Sequence, residues 1–154
     1  MNILVCIKQV PDDSVEIHLN ADGAPDLANV TPVVNAFDTY ALEMAARLKE
    51  SSEGEITIVC VGEEGAKNSL KNCLAVGADY AYLAANDAYQ SADPEIIAKE
   101  LKAAKEAIEE KTGKKFDIVF CGKETTDFAS GQVGTILAKE LSAPVTADVV
   151  DITA

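Results

Sequence analysis

Residues that do chemistry are scarce in this chain of 154. Histidine occurs once, and the cysteines at 6, 60, 73 and 121 include no CxxC pair. Without CxxC or HxxxH spacing, the sequence offers no metal site of the usual kind. His18 lies between Ile17 and Leu19, with no cysteine or ligand-spaced carboxylate nearby, and reads as a surface or structural residue. A Ser-His-Asp set would have to be assembled around it, and no nucleophile elbow is present. Basic residues are also few: 13 stand against 26 acidic ones, for a formal net charge of −13 and a pI near 4.3. Such a chain repels phosphate backbones, which argues against nucleic acid as a partner. No apolar run approaches the ~18 residues of a membrane span, so no membrane insertion is expected. The opening run from Met1 to Val5 is too short for a signal sequence and is soon interrupted by Lys8. Three cysteines sit inside strand-like apolar runs, as small hydrophobes do. Together these features predict reduced thiols in a cytoplasmic protein.

What the chain does have is a large apolar fraction, 48%, and the length of one domain with a substantial core. Ile3 to Ile7, Ile56 to Val61 and Asp117 to Cys121 are nearly continuous apolar runs, as strands buried on both faces require. Tyr80 to Leu83 and Val145 to Ile152 read as weaker strands. Between them, helical spacing links Ala41, Met44, Ala45 and Leu48, and then Ala66, Leu70, Cys73 and Leu74, with Gly77 as terminator. Asp93-Pro94 has the form of an N-cap and first helical residue, and Ile97, Leu101, Ala104 and Ile108 follow on one face. The Lys/Glu-rich residues from Lys99 to Lys115 read as the solvated face of that helix. Gly134, Leu137, Ala138 and Leu141 mark a last helix.

This alternation predicts an α/β fold over residues 1–154, a doubly wound parallel five-stranded sheet of order 3-2-1-4-5. Residues 11–34 are an irregular insertion, with a short hairpin expected through Val15 to Leu19 around Asn20-Ala21-Asp22-Gly23. In such sheets ligands bind beyond the carboxyl ends of the strands. The loop Cys121-Gly122-Lys123-Glu124-Thr125-Thr126-Asp127, continuing to Gly134, leaves the fourth strand at that end. Its glycines would let backbone approach a ligand, and its N–H groups at a helix start attract phosphate. The spacing matches neither GxGxxG nor the P-loop, so a phosphate cradle and a plain strand-to-helix turn both remain open. Glu124 and Asp127 weigh against a bare phosphate unless they point away or bond a sugar.

Several stretches in order resemble the β subunit of electron transfer flavoproteins. They are Asn2-Ile3-Leu4-Val5-Cys6-Ile7-Lys8-Gln9-Val10-Pro11-Asp12, Asn35-Ala36-Phe37-Asp38, Leu74-Ala75-Val76-Gly77-Ala78-Asp79, and Cys121-Gly122-Lys123 with Gln132-Val133-Gly134. The resemblance implies a Rossmann-like, adenine-nucleotide-binding domain of the HUP type that works with an electron transfer flavoprotein α subunit. It further implies electron carriage between flavin-dependent dehydrogenases, such as acyl-CoA dehydrogenase, and an acceptor, with bifurcation in some members. The carrier would need no acid or base of its own, because the flavin does the redox chemistry. By the same resemblance the nucleotide would lie against Cys6, Asn35, Ala36, Phe37, Asp38 and Val61. The fourth-strand loop would add Gly122, Lys123, Glu124, Thr125, Thr126 and Asp127, then Ser130, Gly131, Gln132 and Val133. Val133 stands where AMP-binding members are associated with threonine, so the chain looks more like the FAD-holding, bifurcating and Fix-type branch, with AMP the alternative ligand. Family β subunits continue past the position of Ala154, into an arm that reaches the α subunit. A universal-stress-type ATP or AMP sensor is the rival reading on the same architecture.

Overall fold

A computed structural model describes residues 1–89 and 93–153. Strand β1 (Asn2–Ile7) leads into a short strand β2 (Gln9–Pro11), which pairs antiparallel with β3 (Pro32–Val34). Helix α1 (Ala36–Ser52), strand β4 (Glu55–Gly62) and helix α2 (Lys67–Val76) follow. Then come β5 (Tyr80–Ala85), α3 (Pro94–Thr112), β6 (Ile118–Phe120) and α4 (Val133–Glu140).

The main sheet has the order β5-β4-β1-β6, and all its pairings are parallel. Alternate side chains of β1 and β4 enter two different cores, the period-2 consequence of a pleated strand covered on both faces. Ile3, Val5, Ile7, Ile56, Ile58 and Cys60 meet α1 and α2 through Ala41, Leu42, Ala45, Leu48, Leu70 and Cys73. Leu4, Cys6, Val59 and Val61 meet α3 and α4 through Ala98, Leu101, Ile108 and Leu137. Helix boundaries follow local chemistry. Asp93 caps α3 by accepting from the Glu95 N–H, and Gly113, at φ 70°, ends it in the left-handed conformation. Asp79 lies between helix and strand, where its carboxylate accepts from the Ile56 N–H and the Lys49 ammonium.

Three sequence expectations need correction. Residues 145–152 form no fifth strand, so only 3-2-1-4 of the expected order is realised. Asp148 takes φ 54°, which breaks the extended path, and Val150 is 93% exposed. Only Ile152 in this segment packs against the first core. The expected hairpin shrinks to one bridge, Leu19 with Pro25, around a turn in which Asn20 Oδ1 accepts from the Asp22 and Ala24 N–H groups. The β2–β3 pairing, rather than that hairpin, closes the base of the insertion. Lastly, the charged face of α3 is not wholly solvated. Glu109 is buried and binds Lys105, Lys115 and the Phe116 N–H. Burial acts to raise its carboxyl, but these partners outweigh it and hold the group at about 2.

Candidate nucleotide-binding cleft

The carboxyl ends of β1, β4 and β6 open into one cleft of about 630 Å³, within the range of small-molecule sites. Two helix starts reach it, α3 through Asp93 and Pro94, and α4 through Gln132, Val133 and Gly134. Asp93 already caps its own helix. Gln132, at the N-cap of α4, makes no side-chain cap, so the first-turn N–H groups of α4 lack a side-chain acceptor and favour an anion. Val61, Ile97, Leu101 and Val133 supply an apolar wall.

The loop between β6 and α4 is held from below by α1. Asn35 immediately precedes that helix, where an asparagine would ordinarily cap it, yet its side chain makes no cap. Its amide instead donates to the Glu124 carbonyl at 2.9 Å and accepts from the Thr126 N–H at 3.2 Å. One turn on, Asp38 accepts from the Lys8 N–H at 2.7 Å and the Gly122 N–H at 3.1 Å, joining the exits of β1 and β6. Burial raises the Asp38 carboxyl to about 7, against the two N–H groups that favour its charge. Gly122 is required by this contact. A Cβ there would collide with Asp38 Oδ1 and lie 2.9 Å from the carbonyl carbon of Phe37. Gly131 is required for another reason, since its φ of 61° is left-handed.

Lys8 brings an ion pair to the cleft. Its ammonium binds the Asp127 carboxylate at 2.7 and 2.9 Å and lies 4.8 Å from the centroid of the Phe128 ring. Asp127 is thereby neutralised and does not meet a ligand bare. The Thr135 hydroxyl donates to the Gln132 carbonyl. His18 is exposed, far out on the insertion beside Glu16.

Of the positions drawn from the sequence, Cys6, Asp38, Val61, Gly122, Lys123, Glu124, Thr125, Ser130, Gly131, Gln132 and Val133 line the cleft. Asn35, Thr126 and Asp127 act as braces behind it, while Ala36 is exposed and Phe37 half-buried at the start of α1. Sequence reasoning did not foresee Lys8 or the α3 wall of Pro94, Ile97 and Leu101. The signal was present: Lys8 directly follows β1, and the Asp93-Pro94 start of a crossover helix must lie at the carboxyl edge of the sheet.

Comparison with known proteins places the chain among relatives. The electron transfer flavoprotein domain family matches residues 28–154. The electron transfer flavoprotein subunit beta of Thermoanaerobacterium thermosaccharolyticum is 39% identical over 150 residues, 94% of this chain and 53% of the relative. The protein FixA of Azorhizobium caulinodans is 36% identical over 147 residues, 92% of this chain and 50% of the relative. The caffeyl-CoA reductase-Etf complex subunit CarD of Acetobacterium woodii is 36% identical over 154 residues, 99% of this chain and 56% of the relative. The chain spans about half the length of these relatives.

Proposed function

Because this chain belongs to the electron transfer flavoprotein family, on the side of its β subunits, we propose that its cleft holds an adenine nucleotide, FAD in preference to AMP. The observation that carries this reading is the uncapped start of α4 lining the same cleft as an apolar wall. The helix start suits phosphate and the apolar wall a flat heterocycle.

In this reading the α4 first-turn N–H groups and the Gly131 backbone receive the phosphates. Lys8, paired with Asp127, keeps that carboxylate from opposing the phosphates, while Val61, Ile97 and Leu101 keep water from the base. Asn35 and Asp38 fix the loop that meets it. The preference for FAD rests on Val133, which packs into the second core and brings no hydroxyl to the helix start. Relatives named FixA and Etf-complex subunit accord with that branch. A bound flavin supplies the redox chemistry, and the protein supplies binding and orientation. The protein then works beside a flavoprotein α subunit, carrying electrons between dehydrogenases, such as an acyl-CoA dehydrogenase, and an acceptor, with bifurcation as a capability of this branch.

The test is to incubate the purified chain with FAD and AMP, desalt it, denature it and identify what is released by absorbance and chromatography. FAD is expected. AMP would retain the site and overturn the reading of Val133, ATP carried through purification would point to a sensor, and release of no nucleotide would overturn the proposal. Capture of a flavoprotein α subunit checks the partner separately.

A further inference from the structure

The cleft floor also carries a pair of thiols on neighbouring strands. Val5 of β1 and Phe120 of β6 are the last residues of their ladder, and the next residue on each side is a cysteine, Cys6 and Cys121. Paired residues of parallel strands point to the same face. Both cysteines accordingly lie in the second core and both line the cleft. Neighbouring strands run about 4.8 Å apart, inside the roughly 4.4–6.8 Å between Cα atoms that a disulfide spans. We propose that Cys6 and Cys121 form a reversible disulfide across the ends of β1 and β6, made by exchange with a small-molecule disulfide that enters through the cleft.

The two thiols have unequal roles. Cys121 is half-buried and lies under the start of α4, where a Cβ on Gly134 would be 3.7 Å from its sulfur. It is the sulfur that an entering reagent meets. Cys6 is buried. Its thiol is raised well above the usual value, first by the hydrogen bond with Cys121 and then by burial, so it reacts second. In the first step the Cys121 thiolate attacks one sulfur of the small disulfide, forming a mixed disulfide and releasing one thiolate. In the second the Cys6 thiolate attacks Cys121 Sγ, closing the internal bond and releasing the other. Two protons and two electrons leave the protein pair, and the small disulfide becomes two thiols. Cys60 and Cys73 serve as internal controls. They lie in the first core on the opposite face, line no part of the cleft, and have thiols that burial pushes to about 11.

The experiment treats the folded chain with oxidised glutathione, quenches with one alkylating reagent, and unfolds the protein in a second, isotopically distinct one. Peptides are then mapped by mass spectrometry. The expected result is a Cys6–Cys121 cross-linked peptide in most chains that disappears with dithiothreitol, with Cys60 and Cys73 alkylated only after unfolding. A glutathione adduct that persists on Cys121 beside a free Cys6 would overturn the proposal, as would Cys121 bonded to another cysteine or both thiols remaining free. The Cys6→Ser chain should stop at the mixed disulfide on Cys121, and its failure to acquire glutathione would overturn the proposed order of attack. Should that variant not fold, the wild-type map decides alone.

Discussion

Two irregular segments of this protein are built from similar residues and end in opposite states. The insertion of residues 12–31 and the loop of residues 121–132 are both rich in acidic, hydroxyl-bearing and amide side chains. The insertion satisfies itself. Asp12 accepts from the Ser14 N–H, Asn20 from Asp22 and Ala24, and Asp26 from Ala28, while every residue from 13 to 29 is exposed. The cleft loop is satisfied from outside, by Asn35 and Asp38 of the α1 start and by Lys8 after β1, across 84 to 119 residues of sequence. A polar loop becomes a defined wall of a site when buried groups of other elements take up its backbone bonds. Turn residues alone give it only a local shape.

The sharpest way to break the contrast is Gly122→Ala. The new Cβ would strike Asp38 and the Phe37 backbone, and overpacking of this kind costs about 1–3 kcal/mol or more. A large fall in melting temperature and loss of adenine-nucleotide binding by calorimetry are expected. Asn35→Ala comes next, since it leaves the Glu124 carbonyl and the Thr126 N–H without their partner. A loss of about 2 kcal/mol in urea unfolding follows, together with weakened nucleotide binding.

Asp38 sharpens the comparison through pH. Its folded-state value of about 7 exceeds the ordinary aspartate value of 3.8, so the folded chain holds this proton more tightly than the unfolded chain. The contribution is therefore fully present below the unfolded value and is lost as pH rises through about 7. Relative to Asp38→Asn, which cannot ionise, the wild type should lose stability between pH 5 and pH 8. A constant difference between the two urea midpoints would contradict this. The smallest effect belongs to the insertion: Asn20→Ala removes a local, exposed turn contact and should cost less than about 0.5 kcal/mol, with nucleotide affinity unchanged.

The same contrast explains what could be read in advance. β1 and β4 announced themselves because burial on both faces leaves an unbroken apolar run, and α3 because Asp93-Pro94 and Ile97, Leu101 and Ile108 all agree. Residues 145–152 misled because an apolar run records a tendency to be extended and not the presence of a neighbour. Asp148 at a positive φ leaves β6 without a partner there. Within the site, Gly122, Gly131 and Val133 were legible from glycine spacing and family resemblance. The bracing roles of Asn35 and Asp38 were not, since an asparagine before a helix reads as a cap until its partners 89 and 91 residues away are known. The place of Lys8 after β1 was readable, but its pairing with Asp127 was hidden likewise, because that carboxylate lies 119 residues on.

Hydrogen–deuterium exchange of the chain with and without saturating FAD, and again with AMP, tests the central claim most directly. Slowed exchange is expected at the amides of residues 122–134, with no change across residues 13–29. Slowing confined to the insertion, or no slowing in the β6–α4 loop with either nucleotide, would contradict it.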